Sequence, residues 1–330
     1  MRTIRSMDIS HVLDSLNTEQ REAVGAPPGN LLVLAGAGSG KTRVLVHRIA
    51  WYIETGQASP YSIMAVTFTN KAAAEMRSRI ENLLGQSIQG MWVGTFHSLA
   101  HRLLRAHWQE AGLPQSFQIL DSEDQYRMVR RLIRSMMLDE SQYPPREAQW
   151  FINARKDEGL RPEHIDDHGD VTTAQMVQIY KTYQDACERS GLVDFAELLL
   201  RTFELFREQG AVREHYQHRF RHVLVDEFQD TNILQYSWLR LLVGENSTLF
   251  AVGDDDQSIY SWRGARVENM QAFEQDFKNT KLLKLEQNYR STATILKAAN
   301  KLIANNNARL GKDLWTDGED GERIGTYMAY

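Results

Sequence analysis

The amino-acid sequence predicts an α/β protein built on a parallel sheet, and three features carry this prediction. Five short apolar runs each end in a polar or glycine-rich turn, which is typical of buried parallel strands. A glycine-rich loop follows the first run, and a helical pattern follows that loop. More than a hundred residues of mainly helical pattern separate the third run from the fourth, which indicates an inserted domain. The five runs are Leu31–Leu34, Ile63–Val66, Met91–Val93, His222–Val225 and Leu249–Val252.

The composition excludes several classes of protein. With 42% hydrophobic and 25% charged residues, the 330-residue chain is typical of globular proteins and has room for two or three domains. No apolar run reaches the roughly 18 residues of a membrane-spanning helix, and the N-terminus lacks the apolar core of a secretory signal. A single cysteine, Cys187, excludes an intramolecular disulfide and fits a reducing compartment. The net charge of −5 argues against a uniformly basic nucleic-acid coat but leaves room for a local groove.

The stretch Leu31–Thr42, LLVLAGAGSGKT, predicts a strand, a phosphate-binding turn and the first turn of a helix. Its glycines permit a backbone that aims several N–H groups at phosphate oxygens, at the positive end of the following helix. Lys41 is placed to reach the outer phosphates and Thr42 to bind Mg²⁺. Ala35 stands where the strict pattern has glycine, and the alternative interpretation is a glycine-rich turn with a chance Lys-Thr. The residues expected around the phosphates are Ala37, Gly38, Ser39, Gly40, Lys41 and Thr42.

Two carboxylates follow the fourth apolar run, in the sequence VLVDEFQD. Asp226 is expected to hold Mg²⁺ directly or through water, and Glu227 to orient and deprotonate the attacking water. Two acids after a strand are also common in a solvated loop or a helix cap. Together with the glycine-rich loop they predict a site that hydrolyses Mg·ATP.

At this point the chain resembles the N-terminal part of superfamily 1 DNA helicases of the UvrD/PcrA/Rep type, and most of all the UvrD members. The resemblance covers nearly the whole chain from Ser10 onward. It rests on a set of motifs that occur in the family's order. They are AGAGSGKT, TFTNKAAAEM, GTFH, VDEFQDTN, GDDDQSIYSWRGA and LEQNYRS. Alanine at the first position of the phosphate loop is common in that family.

The resemblance implies a RecA-like P-loop NTPase motor domain, an inserted all-helical domain and the start of a second RecA-like domain. The implied bounds are 1–98 plus 221–285 for the first motor domain, 99–220 for the insertion and 286–330 for the incomplete second motor domain. Within the last part we expect a turn, a helix over Thr294–Asn305 and a strand over Ile324–Tyr330. We therefore expect a truncated product or a fragment of a longer helicase.

The resemblance also assigns roles to residues that the loop and the carboxylates do not cover. Gln20 matches a glutamine that reads adenine, and Arg43 and Tyr289 match residues that flank the adenine ring. Gln257 matches a residue that senses the γ-phosphate and links it to DNA. Arg290 matches an arginine finger of the second motor domain, which would stabilise charge on the γ-phosphate. From the residues alone, Gln20 is an ordinary helix-surface residue and Arg290 an ordinary residue before a helix.

Single-stranded DNA is expected along the carboxyl edge of the sheet, where polar-flanked aromatic side chains follow three of the runs. In the family, Trp262 stacks on a base, Phe68 lies in the base track and Arg263 contacts the strand. The alternative for any one aromatic is a place in the core. His97 has no Cys or His partner at a suitable spacing, so we exclude zinc there. The expected DNA-binding residues are Phe68, Asn70, Thr95, Phe96, His97, Tyr260, Trp262 and Arg263.

The inserted segment has one basic stripe, in which four arginines share a helical face. It could bind duplex phosphates ahead of the single strand, or it could be a solvated face with acidic partners. The stripe consists of Arg127, Arg130, Arg131 and Arg134. Gly191–Phe195 resembles a further family motif near DNA.

The family function is ATP-driven translocation on DNA and 3′→5′ unwinding in repair and replication. The resemblance implies ATP and Mg²⁺ as cofactors. It implies single-stranded DNA, a single-strand/duplex junction and DNA-repair proteins as partners, in the nucleoid-containing cytoplasm of a bacterium and away from membranes. For this chain alone we expect nucleotide and single-strand binding, poor hydrolysis and no unwinding. The alternatives are a catalytically weak binding fragment and the motor part of a helicase–nuclease.

Overall fold

The computed structural model describes residues 9–261, 264–306 and 309–328. The chain divides into two compact units. Unit 1 contains the described residues of Met1–Thr95, Tyr216–Thr231 and Val243–Tyr330, and unit 2 contains Phe96–His215 and Asn232–Leu242. This division differs from the expected bounds, because residues 286–330 belong to unit 1 and residues 232–242 belong to unit 2.

The described residues contain eight strands and thirteen α-helices. The strands are β1 (Leu31–Ala35), β2 (Ile63–Thr67), β3 (Trp92–Thr95), β4 (Gln118–Leu120), β5 (Leu192–Asp194), β6 (His222–Val225), β7 (Thr248–Gly253) and β8 (Lys281–Leu285). The helices are α1 (Ser10–Leu13), α2 (Thr18–Gly25), α3 (Lys41–Glu54), α4 (Asn70–Leu84), α5 (Phe96–Ala106), α6 (Ser122–Ser135), α7 (Pro145–Asp157), α8 (Val171–Ser190), α9 (Phe195–Glu208), α10 (Gly210–Arg219), α11 (Ile233–Leu242), α12 (Glu268–Asp276) and α13 (Ala293–Ile303). No helix among the described residues is long and apolar enough to cross a membrane.

Unit 1 is built on a six-stranded parallel sheet with the order β3-β2-β6-β7-β1-β8. The five predicted strands are confirmed, and their residues are almost all buried because both faces of the sheet are covered. Strand β7 lies between β1 and β6, pairing Val33 with Val252 and Val223 with Leu249. The carboxyl ends of these three strands therefore meet at one edge, where ligands bind in open α/β sheets.

The sixth strand, β8, was not predicted from the sequence. Its sequence KLLKL has lysines at 281 and 284 that flank only two leucines, and only its last residue, Leu285, is buried. Among the residues that the structure describes, this edge strand pairs with β1 alone, from Leu31↔Lys281 to Ala35↔Leu285. An edge position explains why the run does not have the continuous apolar character of a central strand.

Unit 2 is helical apart from one short parallel pair, β4 with β5. Its core includes Val129, Ile133, Ile152 and Ile179, all fully buried. The strand pair and helix α7 were not predicted, because β4 and β5 have three residues each and the pair Pro144–Pro145 is typical of a break between helices. Pro145 instead occupies the first position of the helix, where a missing N–H costs nothing.

Two expectations about individual segments have different outcomes. Three arginines of the basic stripe have acidic partners, since Arg127 pairs with Asp124 at 3.0 Å and Arg130 and Arg134 both pair with Glu140. This favours the interpretation as a solvated face.

The strand expected over Ile324–Tyr330 is wrong for its described part, because residues 324–328 form no strand and hydrogen-bond to no described neighbouring strand. Residues 329 and 330 lie outside the described residues.

Candidate active site

The glycine-rich loop connects β1 to α3 and has the conformation that its glycines predict. Gly38 and Gly40 have φ angles of 68° and 89°, in the left-handed region that favours glycine. The loop closes on itself, since the Ser39 hydroxyl donates to the Gly36 carbonyl at 2.7 Å. Helix α3 then begins at Lys41, so its positive N-terminal end faces the space above the loop.

Lys41 and Thr42 contact the two carboxylates at the end of β6. Lys41 Nζ donates to Glu227 Oε2 at 2.9 Å, and Thr42 Oγ1 donates to Asp226 Oδ2 at 3.1 Å. These residues are about 185 positions apart in the sequence, and the parallel sheet brings them together. The arrangement therefore joins the phosphate loop to the predicted catalytic acid and to the predicted metal ligand.

Glu227 has a strained backbone, with φ 50° and ψ 46°, which is uncommon for a residue with a side chain. Its carbonyl accepts from the Asp230 N–H at 2.9 Å, and its carboxylate also accepts from Gln229 Nε2 at 2.8 Å. Such strain persists only where the surroundings hold it, and it is concentrated at functional sites. Here the residue with this backbone is the one whose carboxylate accepts from Lys41 Nζ.

Burial changes the acidity of the carboxyl groups next to Glu227. The pKa of Asp226 is raised to about 6, mainly by burial and then by the negative charge of Glu227. Hydrogen bonding from Thr42 and the charge of Lys41 oppose this rise. The pKa of Asp230 is also raised to about 6, again by burial and then by Glu227. A cation placed among these groups would favour their ionised forms.

A cleft of about 370 Å³ opens above the loop. Its lining combines the loop backbone with the side chains of Lys41, Glu227, Gln257 and Arg290. All of its lining residues except Arg79 are residues that the sequence singles out. The full lining is Ala37, Gly38, Gly40, Lys41, Thr42, Arg43, Arg79, Glu227, Gln257 and Arg290.

Residues 286–291 lie directly against the phosphate loop. The Tyr289 N–H donates to the Gly38 carbonyl at 3.0 Å, and Asn288 Nδ2 donates to the Ala37 carbonyl. A Cβ on Gly38 would lie 2.7 Å from Asn288 Nδ2 and 2.8 Å from Arg290 Cβ. Glycine is therefore needed at this position for close approach as well as for its positive φ. The contact places Arg290 at the rim of the cleft.

Three of the expected nucleotide-binding residues are not part of the cleft lining. Gln20 is 1% exposed, and its amide donates to the Ser39 carbonyl at 2.8 Å while accepting from the Asn17 N–H at 3.2 Å. Gln20 therefore stabilises the phosphate loop. To contact adenine, its amide would have to give up its hydrogen bond with Ser39 or with Asn17. Ser39 is buried within the loop. Tyr289 is half exposed, receives a hydrogen bond from Asn17 Nδ2 at 2.8 Å and lines a separate cavity with residues 287–292 and 316–319.

Thr42 at the start of α3 and Asp226 at the end of β6 together fit a magnesium ion. Mg²⁺ prefers hard oxygen ligands, and the hydroxyl of Thr42 and the carboxylate of Asp226 are both oxygen donors that lie 3.1 Å apart. Thr42 lines the cleft, and Asp226 is a buried residue that Thr42 contacts. The donor set is therefore suited to Mg²⁺ held together with a phosphate group.

The expected DNA-binding residues divide between the two units. In unit 1, the rings of Phe68 and Tyr260 are stacked with centroids 5.4 Å apart, Asn70 is exposed at the start of α4, and Thr95 is buried in β3. In unit 2, the ring of His97 meets Phe195 edge-on, and burial lowers the pKa of His97.

Phe96 differs from the expectation. It is only 6% exposed and packs edge-on against Trp238 at 5.4 Å. Phe96 is therefore a core residue in this structure, because helix α5 turns its ring inward. Trp262 and Arg263, which were expected to contact DNA, lie outside the described residues.

Comparison with known proteins identifies the family. Residues 16–278 match the model of the UvrD/REP helicase N-terminal domain, and residues 283–330 match that of the UvrD-like helicase C-terminal domain. The chain belongs to the UvrD/REP helicase family. It is 64% identical over 324 residues to DNA helicase II of Escherichia coli, which covers 98% of this chain and 45% of that protein.

Two other relatives of this UvrD/REP helicase chain also match nearly all of the chain but less than half of their own length. DNA helicase II of Haemophilus influenzae is 60% identical, covering 98% of this chain and 45% of its own length. The ATP-dependent DNA helicase PcrA of Staphylococcus epidermidis is 43% identical, covering 96% of this chain and 44% of its own length. The chain thus spans less than half the length of the curated relatives that it matches.

Sequence reasoning missed several residues that shape the site in this member of the UvrD/REP family. Arg79 lies on α4 and lines the cleft, where it is half exposed and pairs with Glu75. Gln229 is buried and joins Glu227 to the backbone of Asp254. The glutamine lies within the quoted motif VDEFQDTN, so a signal was available for it. Arg79 is one of two arginines on a helix and carries no such signal.

Proposed function

We propose that this chain binds and hydrolyses Mg·ATP in the cleft above the phosphate loop that connects β1 to α3. The energy of hydrolysis would drive a DNA helicase motor. The observation that carries the proposal is the pairing of Lys41 with Glu227 and of Thr42 with Asp226 around one cleft. Phosphate loops recognise phosphate in many proteins, but a loop facing a metal-binding and a water-activating carboxylate is suited to nucleotide hydrolysis.

Each group in the cleft has a distinct part in this proposal. Lys41 and the loop N–H groups bind the β- and γ-phosphates, and Thr42 and Asp226 would hold Mg²⁺. Bound Mg²⁺ neutralises charge on the phosphate oxygens. Glu227 accepts the proton of the attacking water, for which it must exchange its contact with Lys41. Gln257 and Arg290 face the same cleft and are suited to contact the outermost phosphate.

At the base end of the nucleotide, we assign Arg43 and Tyr289 to the two faces of adenine and Gln20 to its polar edge. Arg43 lines the cleft next to Thr42 and donates to the Ser15 carbonyl at 2.5 Å, so its guanidinium lies at the rim. Tyr289 and Gln20 both contact Asn17, which brings these two assigned residues to one end of the loop.

For DNA, we propose that a single strand runs along the carboxyl edge of the unit 1 sheet and stacks a base at Phe68 and Tyr260. The stacked rings support this assignment, since aromatic platforms bind bases without sequence preference. Asn70 is an exposed donor next to that pair and is suited to a backbone contact.

The remaining proposals concern the activity, partners and domain bounds expected of helicases of this family. We propose 3′→5′ translocation and unwinding in bacterial DNA repair and replication, near the chromosome and with DNA-repair proteins as partners, as the family resemblance implies. Relatives named DNA helicase II and ATP-dependent DNA helicase PcrA support the helicase part of this proposal. We propose that residues 286–330 open a second motor domain, with the first formed by residues 1–98 and 221–285 and the insertion by 99–220. The match of residues 283–330 to the C-terminal family model supports the proposal that the second motor domain begins near residue 286.

The test uses the 330-residue chain with a fluorescent ATP analogue, Mg²⁺ and an oligo(dT) strand. We expect Mg²⁺-dependent binding, slow hydrolysis that the single strand stimulates, no unwinding, and loss of both binding and hydrolysis by about a hundredfold in Lys41→Ala. Lys181→Ala, an exposed lysine on α8, is the matched control and should leave both unchanged. Binding that is equal in Lys41→Ala and the wild-type chain would contradict the proposed site.

A further inference from the structure

Lys312 is a buried lysine whose ammonium group meets three consecutive aspartates. Only 1% of its side chain is exposed. Its Nζ lies 2.6 Å from Asp254 Oδ1, 2.5 Å from Asp255 Oδ1 and 2.8 Å from Asp256 Oδ2. Burial by itself would lower the pKa of Lys312, but the charges and hydrogen bonds of the three aspartates raise it. The lysine is therefore held in its charged form.

The three aspartates form a loop, Asp254–Asp256, that follows β7, and a second cation, Arg309, pairs with Asp256. Arg309 donates to both oxygens of Asp256 at 2.7 and 2.9 Å, and the Leu310 N–H donates to Asp255 Oδ2 at 2.7 Å. The three carboxylates are close enough together to hold a metal ion. In this structure the ammonium of Lys312 occupies the centre of the cluster, so the cluster binds the chain's own lysine.

Two hydrogen-bonded connections lead from the Asp254–Asp256 loop into the nucleotide cleft. The first is direct, because Asp254 Oδ2 accepts from Gln257 Nε2. The second begins at the Asp254 N–H, which donates to Gln229 Oε1 at 2.9 Å, and continues from Gln229 Nε2 to Glu227 Oε2 at 2.8 Å. Asp254 is thus the junction between Lys312 and two side chains that line the cleft.

The segment that carries Lys312 is also held by contacts that do not involve the aspartates. Leu314 packs so closely on Gly36 that a Cβ there would lie 2.1 Å from Leu314 Cδ2. The Asn300 amide donates to the Leu314 carbonyl at 2.8 Å and accepts from the Leu314 N–H at 3.2 Å. The Asn288 N–H donates to the Trp315 carbonyl at 2.7 Å. Removing the Lys312 ammonium should therefore deprive the Asp254 side chain of its cation, while Arg309, Leu310 and the rest of the segment keep their own contacts.

We propose that Lys312 is a positioning residue that fixes Gln257 in the cleft and thereby makes the site distinguish ATP from ADP. The inference rests on the proposed function. Gln257 shares the cleft with Lys41, Glu227 and Arg290, at the end where the outermost phosphate would lie. Asp254 orients the Gln257 amide, and Lys312 neutralises Asp254, which would otherwise be a buried charge without a cation. Without Lys312, the Asp254 side chain moves toward solvent and Gln257 loses its orientation.

The experiment measures equilibrium affinities for Mg·ADP and for a non-hydrolysable Mg·ATP analogue. The quantity of interest is the ratio of the two dissociation constants. In Gln257→Ala we expect the preference for the triphosphate to fall about tenfold, the value of one hydrogen bond to a charged group. In Lys312→Met we expect the same loss, with the affinity for Mg·ADP within about twofold of the wild type. Lys301→Met, an exposed lysine on α13, is the matched control and should keep the ratio.

A second variant covers the case in which Lys312→Met does not fold. Asp255→Asn combined with Lys312→Met leaves the net charge of the cluster unchanged but still removes the cation from Asp254. It should show the same loss of triphosphate preference, with folding checked by circular dichroism. An unchanged ratio in a folded variant, an equal weakening of both nucleotides, or failure of both variants to fold would each overturn the inference. Absence of nucleotide binding by the wild-type chain would instead overturn the proposed function, and this inference with it.

Discussion

Lys41 and Glu227 form an ion pair in the candidate active site, with Nζ and Oε2 2.9 Å apart. Lys41 is mostly buried in this contact, whereas a third of the Glu227 side chain is exposed. The same ammonium group is the one expected to bind the outer phosphates, and the same carboxylate is the one expected to activate water. Nucleotide binding and the ion pair therefore compete for Lys41, and binding must release Glu227 for its catalytic role.

Replacing Glu227 by glutamine should separate binding from hydrolysis. Glu227→Gln removes the competing negative charge and its repulsion of phosphate, so we expect the affinity for Mg·ATP to be retained or to rise about threefold to tenfold. Hydrolysis should fall by about 10²- to 10⁴-fold, because the general base is lost. Fluorescence titration and phosphate release measure the two effects. Glu245→Gln, an exposed glutamate before β7, should change neither.

The stacked pair of Phe68 and Tyr260 should contribute to single-strand binding through its rings. Tyr260→Ala should weaken oligo(dT) binding by about fivefold to a hundredfold, the range for loss of one base-stacking partner. Tyr260→Phe keeps the ring and should bind nearly as well as the wild-type chain. Fluorescence anisotropy at fixed salt measures the affinity, and equal weakening in both variants would assign the effect to the hydroxyl group.

The sequence predicts the central part of the fold and the chemistry at the strand ends, because both depend on local patterns. Continuous apolar runs indicate central strands, and Lys41, Thr42, Asp226 and Glu227 follow such runs directly. Parallel topology then requires these ends to lie at one edge of the sheet. This is why four residues from distant parts of the chain could be assigned to one site before their geometry was known.

What the sequence did not predict depends on tertiary packing without a local pattern. Strand β8 has the mixed polarity of an edge, so its partner β1 decides its conformation. Lys312 stands in an ordinary polar segment, and only the fold brings it to Asp254 from 58 positions away. Phe96 follows a strand as the DNA-facing aromatics do, but the direction of α5 turns its ring into the core of unit 2.

The phosphate loop should be more sensitive to a methyl group than a solvent-exposed turn of similar conformation. Gly38 and Gly56 have nearly equal φ angles, 68° and 69°, but a Cβ on Gly38 meets Asn288 and Arg290 whereas one on Gly56 meets nothing within 4 Å. Gly56→Ala should cost about 1 kcal/mol of unfolding free energy, the penalty of the left-handed conformation alone. Gly38→Ala should cost more and should also abolish nucleotide binding. Urea denaturation and nucleotide titration of both variants test this difference.

Asp157 should make the stability of the chain depend on pH. The pKa of this half-buried carboxyl in unit 2 is raised from 3.8 to about 7, mainly by burial and then by the negative charge of Asp194, although Lys156 and a hydrogen bond from Asn232 oppose the rise. The folded chain thus binds this proton more tightly than the unfolded chain. Between about pH 4 and pH 7, the free energy of unfolding should therefore fall as the pH rises, and it should level off above pH 7.

Asp157→Asn removes this dependence, because an amide keeps the size of the side chain and has no proton to lose. We expect the variant to gain about 1–2 kcal/mol of unfolding free energy at pH 8, which allows for solvent screening of a half-buried group, and clearly less at pH 5. Denaturation with urea at the two pH values measures the difference. Asp185→Asn, an exposed residue on α8, controls for the loss of one negative charge. A gain of equal size at both pH values would show that the carboxyl of Asp157 does not titrate in this range, since only its ionised form is penalised by burial.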